Sequence, residues 1–266
     1  MPADFIKDYR NIQVTRYVTP LREGGSLPAI VEGDDQKLYV LKFRGAGQGV
    51  RLLVAEFIGT EIARHLHLNV PELVFAHLDE SFGRTEPDEE IQDLLKASTG
   101  LNIALQYLSG AITYDAAGRK AEEILASQLV WLDAFLLNVD RTALNTNLLW
   151  WNKDLWLIDH GAALYFHYTW DRWRSYITDP FEQVKNHVML PFATIIDEVD
   201  EWYKKLLTPD KIEKIVKSIP DELLDYRGVS DTPDEIRAVY ITFLNERLSQ
   251  SANFVNYAID ARKTVI

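Results

Sequence analysis

A chain of 266 residues that is 47% hydrophobic and 26% charged can bury a sizeable core, and two lobes are expected over one large domain. Its formal charge of −12 sets it as a whole against nucleic acid phosphates and anionic membranes, and the absence of cysteine excludes disulfides, zinc–thiolate sites and cysteine nucleophiles. The start, MPADFIKDYRN, lacks the apolar core of a signal peptide, and no apolar run is long enough to span a bilayer, so a cytoplasmic protein without membrane or direct nucleic acid contact is expected.

Three β-like runs come first, over 12–18, 29–32 and 38–43. Between the first two lies Leu21-Arg22-Glu23-Gly24-Gly25-Ser26-Leu27-Pro28, whose glycines let backbone N–H groups face an anion; an ordinary hairpin turn is the alternative. The third run, Leu38-Tyr39-Val40-Leu41-Lys42-Phe43, looks buried on both faces yet carries a lysine, which is expensive unless the ammonium meets a counter-charge. A helix is predicted over 50–66. At helical spacing Glu56 falls among Leu52, Leu53, Thr60 and Ala63, so it too needs a partner. Lys42 with Glu56 is one pairing, Glu61 is a rival, and a surface lysine with a solvated glutamate is the bland alternative. Leu68-Asn69-Val70-Pro71 ends the helix and opens a strand over 73–78. A polar, acidic stretch over 79–98 reads as a surface insertion with a short helix at 88–96, and a further strand over 101–108 runs into Ser109-Gly110, where a domain boundary is expected.

The most informative stretch is 129–164. An apolar-periodic helix through Ile124, Leu125, Leu129, Leu132, Phe135 and Leu136 runs into the polar segment Asn138 to Asn147. Two β-like runs follow, 147–151 and 155–158, separated by Asn152-Lys153-Asp154, and the second delivers Asp159. This hairpin gathers two carboxylates and one or two amides, which is what phosphoryl transfer to a hydroxyl needs. Asp140 would orient the hydroxyl and accept its proton, while Asn145 and Asp159 supply hard oxygen ligands for Mg²⁺ bridging nucleotide phosphates. Taken singly, each is an ordinary turn residue; the ordered set on a helix, loop and hairpin carries the reading. A strand lysine paired with a glutamate on the next helix, as Lys42 and Glu56 would be, also belongs to phosphate positioning.

Asp-Arg-x-x-x-Asn at 140–145, a hairpin, and then an Asp after an apolar strand resemble the active site of the HipA-like kinases, distant relatives of the phosphoinositide-kinase type. The resemblance implies a two-lobed, protein-kinase-like α+β fold: a small nucleotide-binding lobe (1–108) with an antiparallel sheet and one helix, and a large, mostly helical catalytic lobe (109–266). It implies Asp140 as catalytic base, Asn145 and Asp159 as metal ligands, ATP and Mg²⁺ as cofactors, and a protein Ser/Thr as acceptor. It assigns Lys42, Glu56, Gly24, Gly25 and Ser26 to the nucleotide phosphates and Gln106, Tyr107 and Leu108 to the adenine edge. Members are known to phosphorylate a serine of the phosphate-covering loop, which here is Ser26. Thr142 departs from the pattern, which has His there; with the thin glycine loop it keeps a rival in view, a pseudokinase that binds nucleotide or acts as a scaffold without turnover. Asp159-His160-Gly161 is similar to the Asp-Phe-Gly turn of protein kinases, with Gly161 permitting the reversal.

Beyond the hairpin, the aromatic and Arg-bearing stretch from Tyr165 to Tyr176 reads either as lobe packing or as an acceptor surface. Helices are predicted over 191–207, 209–218, 221–226 and from 233 onward, the last capped by Asp231 or Thr232. The six histidines lack ligand spacing for zinc, and no Gly-x-Ser-x-Gly is present.

Overall fold

The computed structural model describes residues 9–21, 27–47, 49–84, 87–116, 118, 120–226 and 228–265. The chain divides into two compact units. The first comprises Met1–Phe57, Pro71–Ser109 and Ile219–Ser230; the second comprises Ile58–Val70, Gly110–Ser218 and Asp231–Ile266.

The first unit is built on five strands, β1 (Asn11–Pro20), β2 (Ala29–Gly33), β3 (Leu38–Lys42), β4 (Leu73–Leu78) and β5 (Gly100–Gln106). They close into a barrel in the order β1-β2-β3-β5-β4. Four of the pairings are antiparallel, but the closing pair, β1 with β4, is parallel, so the antiparallel sheet expected from sequence is refined to a mixed barrel. Two register shifts in β1, between Val14 and Arg16 and between Tyr17 and Thr19, bend that strand, and such bulges let a short sheet curl onto itself. Ile12, Val14, Val31, Tyr39, Leu41, Val74 and Ala104 fill the core.

Helix α1 (Val50–His65) follows β3, and α2 (Glu89–Ala97) lies between β4 and β5. The sequence reading treats α2 as a surface insertion. Its buried Leu95, with Ile91 and Leu94, instead packs on the barrel core, and Asp88 caps it by accepting the Glu90 N–H at 3.0 Å. Gly45 shows how closely α2 sits: a Cβ there would fall 2.7 Å from the Ala97 Cβ, so only glycine fits the connector after β3. The same connector is pinned by Asn102, whose amide oxygen accepts the Arg44 N–H at 2.8 Å.

The second unit carries a three-stranded sheet, β6 (Ile112–Thr113), β7 (Leu148–Trp151) and β8 (Asp154–Leu157), in that order. The β7–β8 connection is a two-residue turn in which Asn152 and Lys153 have φ of 50° and 74°, the left-handed pair that suits a tight hairpin. Helices α3 (Glu123–Leu136), α4 (Ile196–Leu206), α5 (Pro209–Lys217), α6 (Pro233–Ser249) and α7 (Ala252–Val265) supply the rest, with 3₁₀ segments at Tyr165–Tyr176, Glu182–Asn186 and Leu190–Phe192. The single long helix expected after Pro233 is two, broken at Gln250 and Ser251. Thr232 is its cap, in a capping box with Glu235. Helix α3 is central: Leu129, Val130, Trp131, Leu132, Phe135 and Leu136 are all inaccessible, and so is Asp133. Among the described residues no helix is long and apolar enough to cross a membrane.

Candidate active site

In the second unit α3 ends at Leu137, whose φ of 55° turns the chain out of the helix. Asp140 follows, half-buried. Asn145 donates its side-chain N–H to Asp140 Oδ2 at 2.8 Å, and Asn147 donates to the same oxygen and to the Asp140 carbonyl, both at 3.2 Å. Both amides found near Asp140 in the sequence therefore converge on its carboxylate. With its nitrogen committed there, Asn145 keeps its amide oxygen as an acceptor. Asp159 follows β8 by two residues, and the Ile158 N–H donates to the Asn147 carbonyl at 3.1 Å, so the residue before Asp159 is tied to the one that holds Asp140. Asp159 itself has φ 56°, so the left-handed reversal falls on this residue and not on Gly161, where the sequence reading puts it. A short polar side chain tolerates that conformation, and backbone strain of this kind concentrates at working sites.

Beneath this loop lies a buried ionic cluster that the sequence reading missed. Arg141, 1% exposed, donates Nε–H to Asp133 Oδ2 and Nη1 to the Asn147 carbonyl at 2.6 Å, reaching the Ile158 carbonyl at 3.5 Å. Asp133 Oδ1 accepts from Asn138, whose own amide oxygen accepts the Asp140 N–H at 3.3 Å. Burial by itself would raise the Asp133 pKa; the charge of Arg141 and the contact with His187 hold it far below the ordinary carboxylate range. The cluster thus grips both ends of the loop that presents Asp140. Asp133 was findable: it is the one charged residue in the apolar run LVWLDAFLL, the argument applied to Lys42. Nothing in the sequence marks His187. Thr142, which stands where the resemblance has His, closes the loop as a turn, its N–H donating to the Asn145 carbonyl at 2.9 Å and its hydroxyl accepting from the Asn145 N–H at 3.2 Å.

In the first unit Lys42 and Glu56 are brought together. The ammonium lies 3.8 Å from Glu56 Oε2, with the two residues 4% and 0% exposed. The rival Glu61 lies in the second unit, 3.5 Å from Arg64. The end of β5 presents Gln106, Tyr107 and Leu108. The Gln106 and Tyr107 N–H groups are used by the carbonyls of Glu72 and Leu38, at 2.8 and 3.0 Å, while the Leu108 N–H has no hydrogen-bond partner among the described residues. Gly24, Gly25 and Ser26 lie outside the described residues.

The aromatic stretch divides by face. Phe166, His167, Trp170 and Trp173 are buried: the Phe166 ring lies 4.5 Å from that of Phe243, His167 Nε2 is 2.6 Å from the Tyr240 hydroxyl, and Trp170 donates to Asp231. Tyr165 and Tyr168 are exposed.

The HipA-like kinase family matches this chain over residues 14–253. The protein belongs to the HipA-like kinase family. Membership makes it a phosphotransferase of kinase type, and the fold agrees. A Helicobacter pylori proinflammatory kinase, CtkA, superposes with a TM-score of 0.57 at 13% identity, covering 97% of this chain and 99% of that one. The Golgi casein kinase, solved with Mn and ADP bound, superposes with a TM-score of 0.50 at 10% identity, covering 94% of this chain and 73% of that one. No curated protein matches this sequence. At such identities the structural likeness of this HipA-like kinase to both is one of fold.

Proposed function

We propose that this HipA-like kinase transfers the γ-phosphoryl group of ATP, with Mg²⁺, to a serine or threonine hydroxyl of a protein, and that 1–108 and 109–266 act as its nucleotide-binding and catalytic lobes. The observation that carries the reading is Asp140 held by two amides, with the Asn145 amide oxygen and the Asp159 carboxylate as the hard oxygen donors of the same loop and hairpin. One carboxylate and one amide suit a cation that keeps most of its ligands as water and phosphate, so the donor chemistry fits Mg²⁺. When bound, the metal neutralises charge on the nucleotide phosphates. Asp140 accepts the proton of the attacking hydroxyl and orients it, Lys42, positioned by Glu56, meets the phosphates, and the Leu108 N–H donates to the adenine edge. The Mn and ADP of the Golgi casein kinase support a nucleotide with a divalent ion.

Asp140→Ala should bind Mg·ATP but lose turnover by about two to four orders of magnitude, as for loss of a general base. Asp159→Ala should lose Mg²⁺-dependent nucleotide binding itself. Fluorescent ATP-analogue titration with and without Mg²⁺, alongside phosphate release, separates the two; full activity in both variants would remove the assignment. A wild-type protein that binds Mg·ATP and never turns it over is instead the nucleotide-binding pseudokinase, the reading that Thr142 favours.

A further inference from the structure

His187 lies on the 3₁₀-rich connection between Asp159 and α4, outside every segment that the sequence marks for chemistry. We propose that it is a positioning residue for Asp140, acting through Asp133 and Arg141; the proposal rests on the reading of Asp140 as the base. The ring is 5% exposed or less and makes two directed contacts. Its Nδ1 accepts the Met189 N–H at 3.0 Å, which assigns the ring proton to Nε2, and Nε2 donates to Asp133 Oδ2 at 2.9 Å. That oxygen also receives Arg141, so His187 and Arg141 share one acceptor and each limits where the other can sit. The backbone adds a second tie. Val188 N–H donates to the Arg141 carbonyl at 3.1 Å, and Thr142 and His187 form an antiparallel bridge.

From the ring to the reacting carboxylate the path is continuous. His187 fixes Asp133, Asp133 fixes Arg141 and Asn138, Arg141 holds the Asn147 carbonyl, and Asn147 and Asn138 hold the Asp140 side chain and N–H. Every group along it is buried except the last. Hydrogen-bond partners behind a reacting group act by holding its geometry, and a displacement of about 1 Å there costs about 10²-fold in rate. Because Nδ1 is occupied by a backbone donor, His187 adds a donor to Asp133 without a second buried cation, and the cluster stays at one carboxylate and one guanidinium.

The test uses the full chain, with phosphate release from Mg·ATP for kcat and KM, and the side-chain amide NMR signals of Asn145 and Asn147 as a readout that needs no turnover. His187→Ala should lower kcat by about 10- to 100-fold, leave the KM for ATP within about twofold, and shift the Asn147 amide signals. His187→Gln places its amide nitrogen where Nε2 was, and His187→Asn places its own where Nδ1 was; the Gln variant should exceed the Asn variant in kcat by about tenfold. Unshifted Asn147 signals with unchanged kcat in a folded His187→Ala protein would overturn the proposal, as would Gln and Asn variants of equal kcat if the Ala variant does not fold. Should the wild type release no phosphate, the base assignment fails on its own, and the amide signals still decide whether His187 positions the loop.

Discussion

In the barrel unit the two candidate residues stand on regular elements, Lys42 on β3 and Glu56 on α1, with the ammonium 3.8 Å from the carboxylate. In the second unit Asp140, Asn145 and Asp159 stand on a loop and at the end of a strand. There the backbone makes no repeating ladder, and a set of side chains replaces it: Asp133, Asn138, Arg141, Asn147 and His187 all bond to the loop or to one another. A strand or helix already satisfies its own N–H and C=O groups and fixes the direction of each side chain, so the backbone itself does much of the aiming. A loop leaves those groups open, and buried side chains must close them before any carboxylate can be held to a fraction of an ångström. Precision in the helical unit therefore depends on residues that do no chemistry.

The largest expected effect tests this dependence. Asp133→Ala leaves Arg141 buried without its carboxylate and should destabilise the chain by about 3–5 kcal/mol in urea unfolding. A loss smaller than that of Glu56→Ala would reverse the ranking of the two regions. Acid sharpens the same point. The folded-state pKa of Asp133 is depressed, so its stabilisation is complete above the unfolded value, about 3.9, and is lost as pH falls through the lower folded value. Below about pH 4, Asp133→Asn should lose less stability with falling pH than the wild type does.

A smaller effect concerns the barrel pair. Lys42→Ala and Glu56→Ala should be coupled by up to about 3 kcal/mol in a double-mutant cycle, because each leaves the other's charge buried. Additive losses would mean that the two charges at 3.8 Å are independent. The smallest effect is at Gly59, on the part of α1 within the second unit. An ideal Cβ there would stand 2.5 Å from the Cβ of His160, the inaccessible residue after Asp159. Alanine favours a helix over glycine by about 1 kcal/mol, while overpacking costs about 1–3 kcal/mol, so Gly59→Ala should be net destabilising in thermal unfolding. A stabilised variant would show that His160, and the backbone of Asp159 with it, can give way without cost.

Periodicity and turn chemistry were enough to find the strands of the barrel, the hairpin of β7 and β8, and the helix that leads into Asp140, because those signals are local: an apolar repeat of 2 or 3.6, and Asn152-Lys153 between two apolar runs. Charge in an apolar run was enough to mark Lys42 and Glu56, since burial without a partner is costly wherever the partner lies. The same logic extends to Asp133. The closing of the sheet by a parallel β1–β4 pair was not legible, because strand pairing across the chain is set by bulges and packing that leave no local trace. His187 was equally hidden. A histidine in an irregular segment has no periodicity to place it, and its partner Asp133 is its neighbour only once α3 and the connection after Asp159 have folded against each other. The sequence alone determined which side chains were available, since carboxylates, amides and a lysine at those spacings are written in it. The tertiary structure decided which residues hold those side chains still, because a hydrogen bond between distant segments depends on where the whole chain has put them.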